Sequence, residues 1–228
     1  MKYIKILLIA LLFSAYNLNA EPLTTELDKT SYSLGIKTGE HFRTQAIQLN
    51  AASFHDGLLA GLNDTKSALT DEEIKILLAK LQEDQMTKHN SQTESLAKSN
   101  LEKGKEFLET NKQNKNIITL ASGLQYTILA SGKGEHPKPN DSVTVNYRGT
   151  LIDGTEFDSS YSRNESITFQ VNHLIKGWQE ALVLMKPGDK WKLFVPSELA
   201  YGNQAAGAII KPNSTLIFEL ELLAIKSK

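Results

Sequence analysis

The chain has no cysteine. It therefore offers no thiolate nucleophile, no thiolate metal ligand, no disulfide framework and no N-terminal cysteine to carry a lipid, so its domains must stand on core packing alone. Histidine is scarce as well, and the five present show no metal-ligand spacing. Net charge is nearly absent: 25 Lys and Arg against 26 Asp and Glu leave −1. That balance removes the electrostatic case for a nucleic acid or an anionic membrane as partner. Aromatic residues make up only 7% of the chain, so the places where they fall are informative.

Met1 to Ala20 differ from the rest. Lys2 and Lys5 precede an apolar core from Ile6 to Phe13, and small residues follow, ending at Ala20. The run is too short to span a bilayer and has the form of a signal peptide, with cleavage expected after Ala20. An exported, cysteine-free chain suits a bacterial periplasm, outer membrane or cell surface.

The spacing predicts helices from Thr24 to about Asn63. Leu27, Ser31, Leu34 and Ile36 lie near one face of the first, and Asn50 or Ser53 starts a second with Phe54, Leu58, Leu59 and Leu62 as its stripe. Gly35, Gly39, Gly57, Ala60 and Gly61 permit close helix approach but weaken the isolated helices, which then need packing partners. Thr70-Asp71-Glu72-Glu73 carries a capping box. Proline is absent from there to Ile117, and the composition from Lys88 to Lys115 is mostly polar and helix-forming. A long solvated helix is expected, with Glu94/Lys98 and Glu102/Lys105 as supporting pairs and Gly104 and the region near Asn111 as weak points.

After Asn116 the period changes to two. Leu124–Leu129, Val143–Tyr147, Lys190–Val195 and Thr215–Ile225 read as strands, Asp153-Gly154 as a hairpin turn, and Leu174–Met185 as a short amphipathic helix before Lys186-Pro187-Gly188-Asp189. One short helix on an antiparallel sheet is an α+β domain. The expected division is 1–20 signal peptide, 21–69 helical domain, 70–115 connecting helix and 116–228 β-rich domain.

Six aromatics in this last part sit in recognisable phrases: Tyr147 in VNYRG, Phe157 in GTEFDSS, Phe169 in ITFQV, Trp178 in LIKGWQEAL, Tyr201 in ELAYG and Phe218 in TLIFELELL. Each phrase is weak alone. Together and in this order, with KPGDKW, they resemble the FKBP-type peptidyl-prolyl isomerase domain. With DKTSYSLGIKTGEHF (Asp28–Phe42) and the long helix, the whole chain resembles the Mip-like (macrophage infectivity potentiator) subgroup.

The resemblance implies catalysis of X-Pro bond rotation with no metal or cofactor. Trp178 would be the pocket floor, Tyr147, Phe157, Phe169 and Phe218 its walls, and Leu174 and Ile175 its rim. The Ile175 N–H and the Tyr201 hydroxyl would hold substrate carbonyls, with Asp158 near the twisting amide, steadied by Arg163 and Tyr147. It also implies a homodimer through the N-terminal helices, proline-containing peptides and unfolded exported proteins as substrates, and macrolide inhibitors such as rapamycin as ligands. Client binding between the arms of the dimer is the alternative role. Two departures stand out: Ile167 replaces an aromatic found in some relatives, and the loop Gly202–Ile210 lacks a histidine found in others.

Overall fold

The structure is a computed structural model in which residues 22–226 are described; the signal-peptide expectation for 1–20 falls outside them. Helix α1 runs from Glu26 to Thr44, α2 from Ala51 to Leu62 and α3 from Asp71 to Asn111. Local chemistry sets their starts. Thr25 and Asp28 form a reciprocal capping box on α1, and the Asn50 side chain accepts from the Ser53 N–H on α2. At α3, the Glu73 carboxylate accepts from the Thr70 N–H at 2.8 Å. Two compact units divide between Leu78 and Ala79.

In the first unit, no residue of α1 or α2 is buried. Phe42 and Phe54 meet edge to face at 5.6 Å. An apolar groove of about 590 Å³ is lined by Leu34, Gly35, Gly39, Phe42, Phe54 and Leu58, among others. A methyl built on any of Gly35, Gly39, Gly57 or Gly61 would meet nothing within 4 Å, so within one chain these small residues bring no helices together.

The second unit holds a seven-stranded antiparallel sheet. Its strands are β1 (Ile118–Thr119), β2 (Gln125–Ala130), β3 (Ser142–Leu151), β4 (Glu156–Ser159), β5 (Ile167–Gln170), β6 (Lys190–Val195) and β7 (Leu216–Lys226). Their order is β1-β2-β6-β7-β3-β4, with β5 also paired to β3. Alternation decides the inner face: Val143, Val145, Tyr147 and Gly149 of β3, and Leu216, Phe218, Leu220 and Leu222 of β7, are buried. Helix α4 (Lys176–Leu182) lies on that face, contributing Trp178, Ala181 and Leu182 to the core. It is shorter at both ends than the predicted Leu174–Met185 helix, because Leu174 and Ile175 are extended and Val183 and Leu184 form a turn.

Helix α3 continues unbroken through Gly104, its one buried residue. The glycine is a packing site: a methyl there would overlap the Thr215 hydroxyl. The ion pairs of α3 also differ from those expected. Among the described residues Lys80 pairs with Asp84 and Lys112 with Glu109, while Glu94/Lys98 and Glu102/Lys105 do not close.

Candidate active site

Four strands and one helix deliver aromatic rings to one place. Trp178 of α4 lies at the centre and is 4% exposed. Tyr147 and Phe218 stand edge-on to it at 5.2 Å each, with interplanar angles of 79° and 81°. Phe169 does the same from β5 at 6.3 Å, and Phe157 from β4 meets Phe218 at 5.6 Å and 85°. Edge-to-face contact suits the ring quadrupoles and sets three rings perpendicular to the indole. The Trp178 indole N–H is buried with no hydrogen-bond partner among the described residues. Leu174 and Ile175 are half-buried against the cluster.

Two glycines make this packing possible. Gly149 of β3 faces Phe218 of β7 in register, and a methyl there would lie 2.5 Å from Phe157 and 3.0 Å from Phe218. At Gly177 a methyl would lie 2.6 Å from Val195, so glycine lets α4 settle on β6 with Trp178 facing inward. Neither was singled out from sequence, although both stand inside the quoted phrases VNYRG and LIKGWQEAL.

The polar edge is organised around Asp158. Its carboxylate accepts from the Tyr147 hydroxyl at 2.5 Å and from the Arg163 guanidinium at 2.5 Å, and Arg163 also donates to the Tyr147 oxygen at 3.0 Å. Partial burial alone would raise the Asp158 pKa, but hydrogen bonds from Arg163 and Tyr147 outweigh it and hold the carboxyl below its ordinary value. Burial, reinforced by the bond to Asp158, pushes the Tyr147 phenol up.

Ser160, fully buried, buttresses the strand that carries Tyr147 by accepting from its backbone N–H at 2.9 Å. The sequence reading missed this residue; the doubled serine of GTEFDSS was its only signal.

Tyr201 is 42% exposed. Together with Phe157, Asp158, Ala206, Ile209 and Ile210 it lines a recess of about 430 Å³. Its hydroxyl and the backbone N–H of Ile175 have no hydrogen-bond partner among the described residues. His173 is exposed. No group of three or more His, Asp or Glu placed to hold a metal occurs among the described residues.

The predicted site residues therefore fall into a ring cluster (Tyr147, Phe157, Phe169, Trp178, Phe218), two half-buried apolar residues packed against the core (Leu174, Ile175), an ionic edge (Asp158, Arg163) and an exposed hydroxyl (Tyr201). Ala206, Ile209 and Ile210 were seen from sequence only as loop.

Comparison with known proteins agrees with this architecture. Residues 133–223 match the family described as FKBP-type peptidyl-prolyl cis-trans isomerase, and residues 27–128 match the domain amino terminal to it. The chain is 44% identical over 208 residues to the outer membrane protein MIP of Legionella longbeachae, covering 91% of this chain and 89% of that protein. It is 43% identical over 209 residues to the peptidyl-prolyl cis-trans isomerase Mip of Coxiella burnetii, covering 92% and 91%. The crystal structure of FkpA from Escherichia coli superposes with a TM-score of 0.73 at 38% identity, covering 90% of this chain and 99% of that one. The chain belongs to the FKBP-type peptidyl-prolyl cis-trans isomerases, with a Mip-like organisation. It is an enzyme of X-Pro bond rotation.

Proposed function

We propose that X-Pro bonds rotate between the Trp178 ring cluster and the neighbouring recess of Phe157, Asp158 and Tyr201, with the proline ring on the indole and Tyr147, Phe157, Phe169 and Phe218 around it. The barrier to rotation, about 20 kcal/mol, comes from amide conjugation. Twisting removes that conjugation and reduces the charge separation on the carbonyl. A dry apolar site therefore favours the twisted form over the planar one that water stabilises. Leu174 and Ile175 form the rim. The Ile175 N–H and the Tyr201 hydroxyl, both lacking partners among the described residues, bind the carbonyls flanking proline. Asp158, kept ionised and immobile by Arg163 and Tyr147, sits beside the rotating amide.

The perpendicular packing of three rings on Trp178 is the observation that carries this reading. Its test is isomerisation of a short proline peptide by Asp158→Ala and Tyr201→Phe. Losses of roughly tenfold and threefold are expected, on the scale of one charged and one neutral hydrogen bond. Parental rates in both, in folded protein, would remove the assignment. Rapamycin should compete for the same recess.

The reading extends to location and assembly. The N-terminal segment supports export, to a bacterial periplasm or the outer surface, so the substrates are exported proteins. The exposed groove of α1 and α2, with its unpacked glycines, supports a homodimer through those helices. A second role, holding unfolded clients, is favoured by Ile76, Leu77 and Leu78 at the start of α3, which are 54–60% exposed. Removing the N-terminal helices should then weaken catalysis of protein refolding more than peptide turnover. Equal losses in the two assays would contradict that role.

A further inference from the structure

The polar surface of α3 conceals a docking stripe. Thr93, Ala97, Asn100, Gly104, Phe107 and Asn111 recur at alternating steps of four and three, and each is at least partly buried. The lower part of the stripe meets the sheet. Phe107 packs on Phe194 at 5.9 Å, and the side chain of Asn111 donates to that of Gln125 at 2.8 Å. The upper part meets something different: the loop that covers the isomerase recess.

That loop runs from Gly202 to Pro212 and carries Ala206, Ile209 and Ile210 into the recess. Its neck closes where Asn213, left-handed at φ 58°, donates its N–H to the Gly202 carbonyl at 2.8 Å. Beyond the loop and its neck, the hydrogen bonds of Pro212 and Asn213 go to α3. Asn100 donates its side-chain amide to the Pro212 carbonyl at 2.9 Å. Asn213 donates its own to the Ala97 carbonyl at 3.2 Å. Gly104 lets Thr215 close onto the helix one turn further on.

The exit limb thus has no sheet partner until β7 begins at Leu216, and the helix supplies its fixed reference. Two asparagine amides directed at backbone carbonyls specify a position rather than merely covering apolar surface.

We propose that the Ala97–Asn100–Gly104 face of α3 is a positioning element for this loop. It sets how Ile209, Ile210 and the neighbouring Tyr201 meet the peptide, and so governs substrate affinity from outside the pocket. Asn100 and Asn213 are positioning residues, since neither lines the recess. The inference rests on the assignment of that recess as the isomerase site.

The test uses the full chain. Asn213→Gly removes the amide while keeping a residue at ease in the left-handed conformation, and Asn100→Ala removes the other clamp. Each should raise KM for a short proline peptide by about 2- to 10-fold, the range that one net hydrogen bond spans, with kcat retained. Combining them should give less than the product of the two effects, because they hold one limb. Asn111→Ala, on the same helix face but against the sheet, should leave KM at the parental value.

Parental KM in both clamp variants would overturn the proposal. So would an equal rise in Asn111→Ala, which would mean that general loosening of the helix is responsible. Asp158→Ala, measured alongside, separates the two claims. If its turnover falls while the clamp variants behave as parent, only the clamp fails; if it too is unchanged, the recess assignment fails with it.

Discussion

Gly149→Ala is the sharpest probe of the ring cluster, because it adds one methyl where the structure has no room. The added carbon would lie 2.5 Å and 2.6 Å from two atoms of the Phe157 ring and 3.0 Å from Phe218. Ordinary carbon contacts are about 3.5–4.0 Å, so the Phe157 ring must retreat by about 1 Å. Its edge-to-face contact with Phe218 is lost in the process. Overpacking of this kind costs about 1–3 kcal/mol. Relief of glycine's unfolded-state entropy offsets about 0.4–1 kcal/mol of that. The net loss should lower Tm by only a few degrees, since about 2–4 °C accompanies each kcal/mol in a chain of this size. Catalysis should suffer far more, because a displacement of about 1 Å in a binding surface can cost on the order of 100-fold. The assay is peptide isomerisation beside a thermal melt on the same sample. Parental turnover with a parental Tm would refute the placement of Phe157 and Phe218 over Gly149 as a working wall of the site.

Tyr147→Phe removes a hydrogen bond that keeps the Asp158 pKa low. Because that pKa lies below its unfolded value, the stabilisation is present above the ordinary carboxylate range and is lost as pH falls through the lower folded value. Parental activity should therefore hold through the ordinary carboxylate range, and the acid limb of the variant should move to higher pH; superimposable profiles would contradict this. Leu58→Glu, in the N-terminal groove, should convert dimer to monomer by light scattering and leave peptide turnover unchanged. A fragment beginning at Asn116 should be a monomeric isomerase. Denaturant titration should find it less stable by about 2 kcal/mol than one beginning at Ser91, because Phe194 and Gln125 lose their partners on α3.

What was legible in the sequence was what local chemistry and periodicity encode. Asn50 and Thr70 carry caps that need only a few neighbouring residues, and Val143, Val145 and Tyr147 alternate because one face of β3 is buried. The pocket aromatics were legible as phrases, although nothing in their spacing says that β3, β4, β5, β7 and α4 converge. What was not legible depends on tertiary approach. Gly149 and Gly177 matter for the space they leave. Ser160 matters because its hydroxyl reaches another strand. The docking stripe of α3 escaped notice because, apart from Phe107, it is built from Thr, Ala, Asn and Gly, which a hydrophobic pattern does not register. For the same reason Gly104 read as a weak point when it is a site of closest approach. The ends of α4 were placed too wide because the apolar residues Leu174 and Ile175, and Val183 to Met185, continue the hydrophobic pattern outside the helix, the first two in extended backbone and the others beginning in a turn.

The central claim is that these rings form a working isomerase site. It is tested most directly by proline isomerisation of a short peptide with the purified full chain, with and without rapamycin. The account predicts turnover that rapamycin abolishes and that Asp158→Ala reduces in parallel. A folded protein without turnover, or turnover indifferent to both, would contradict it.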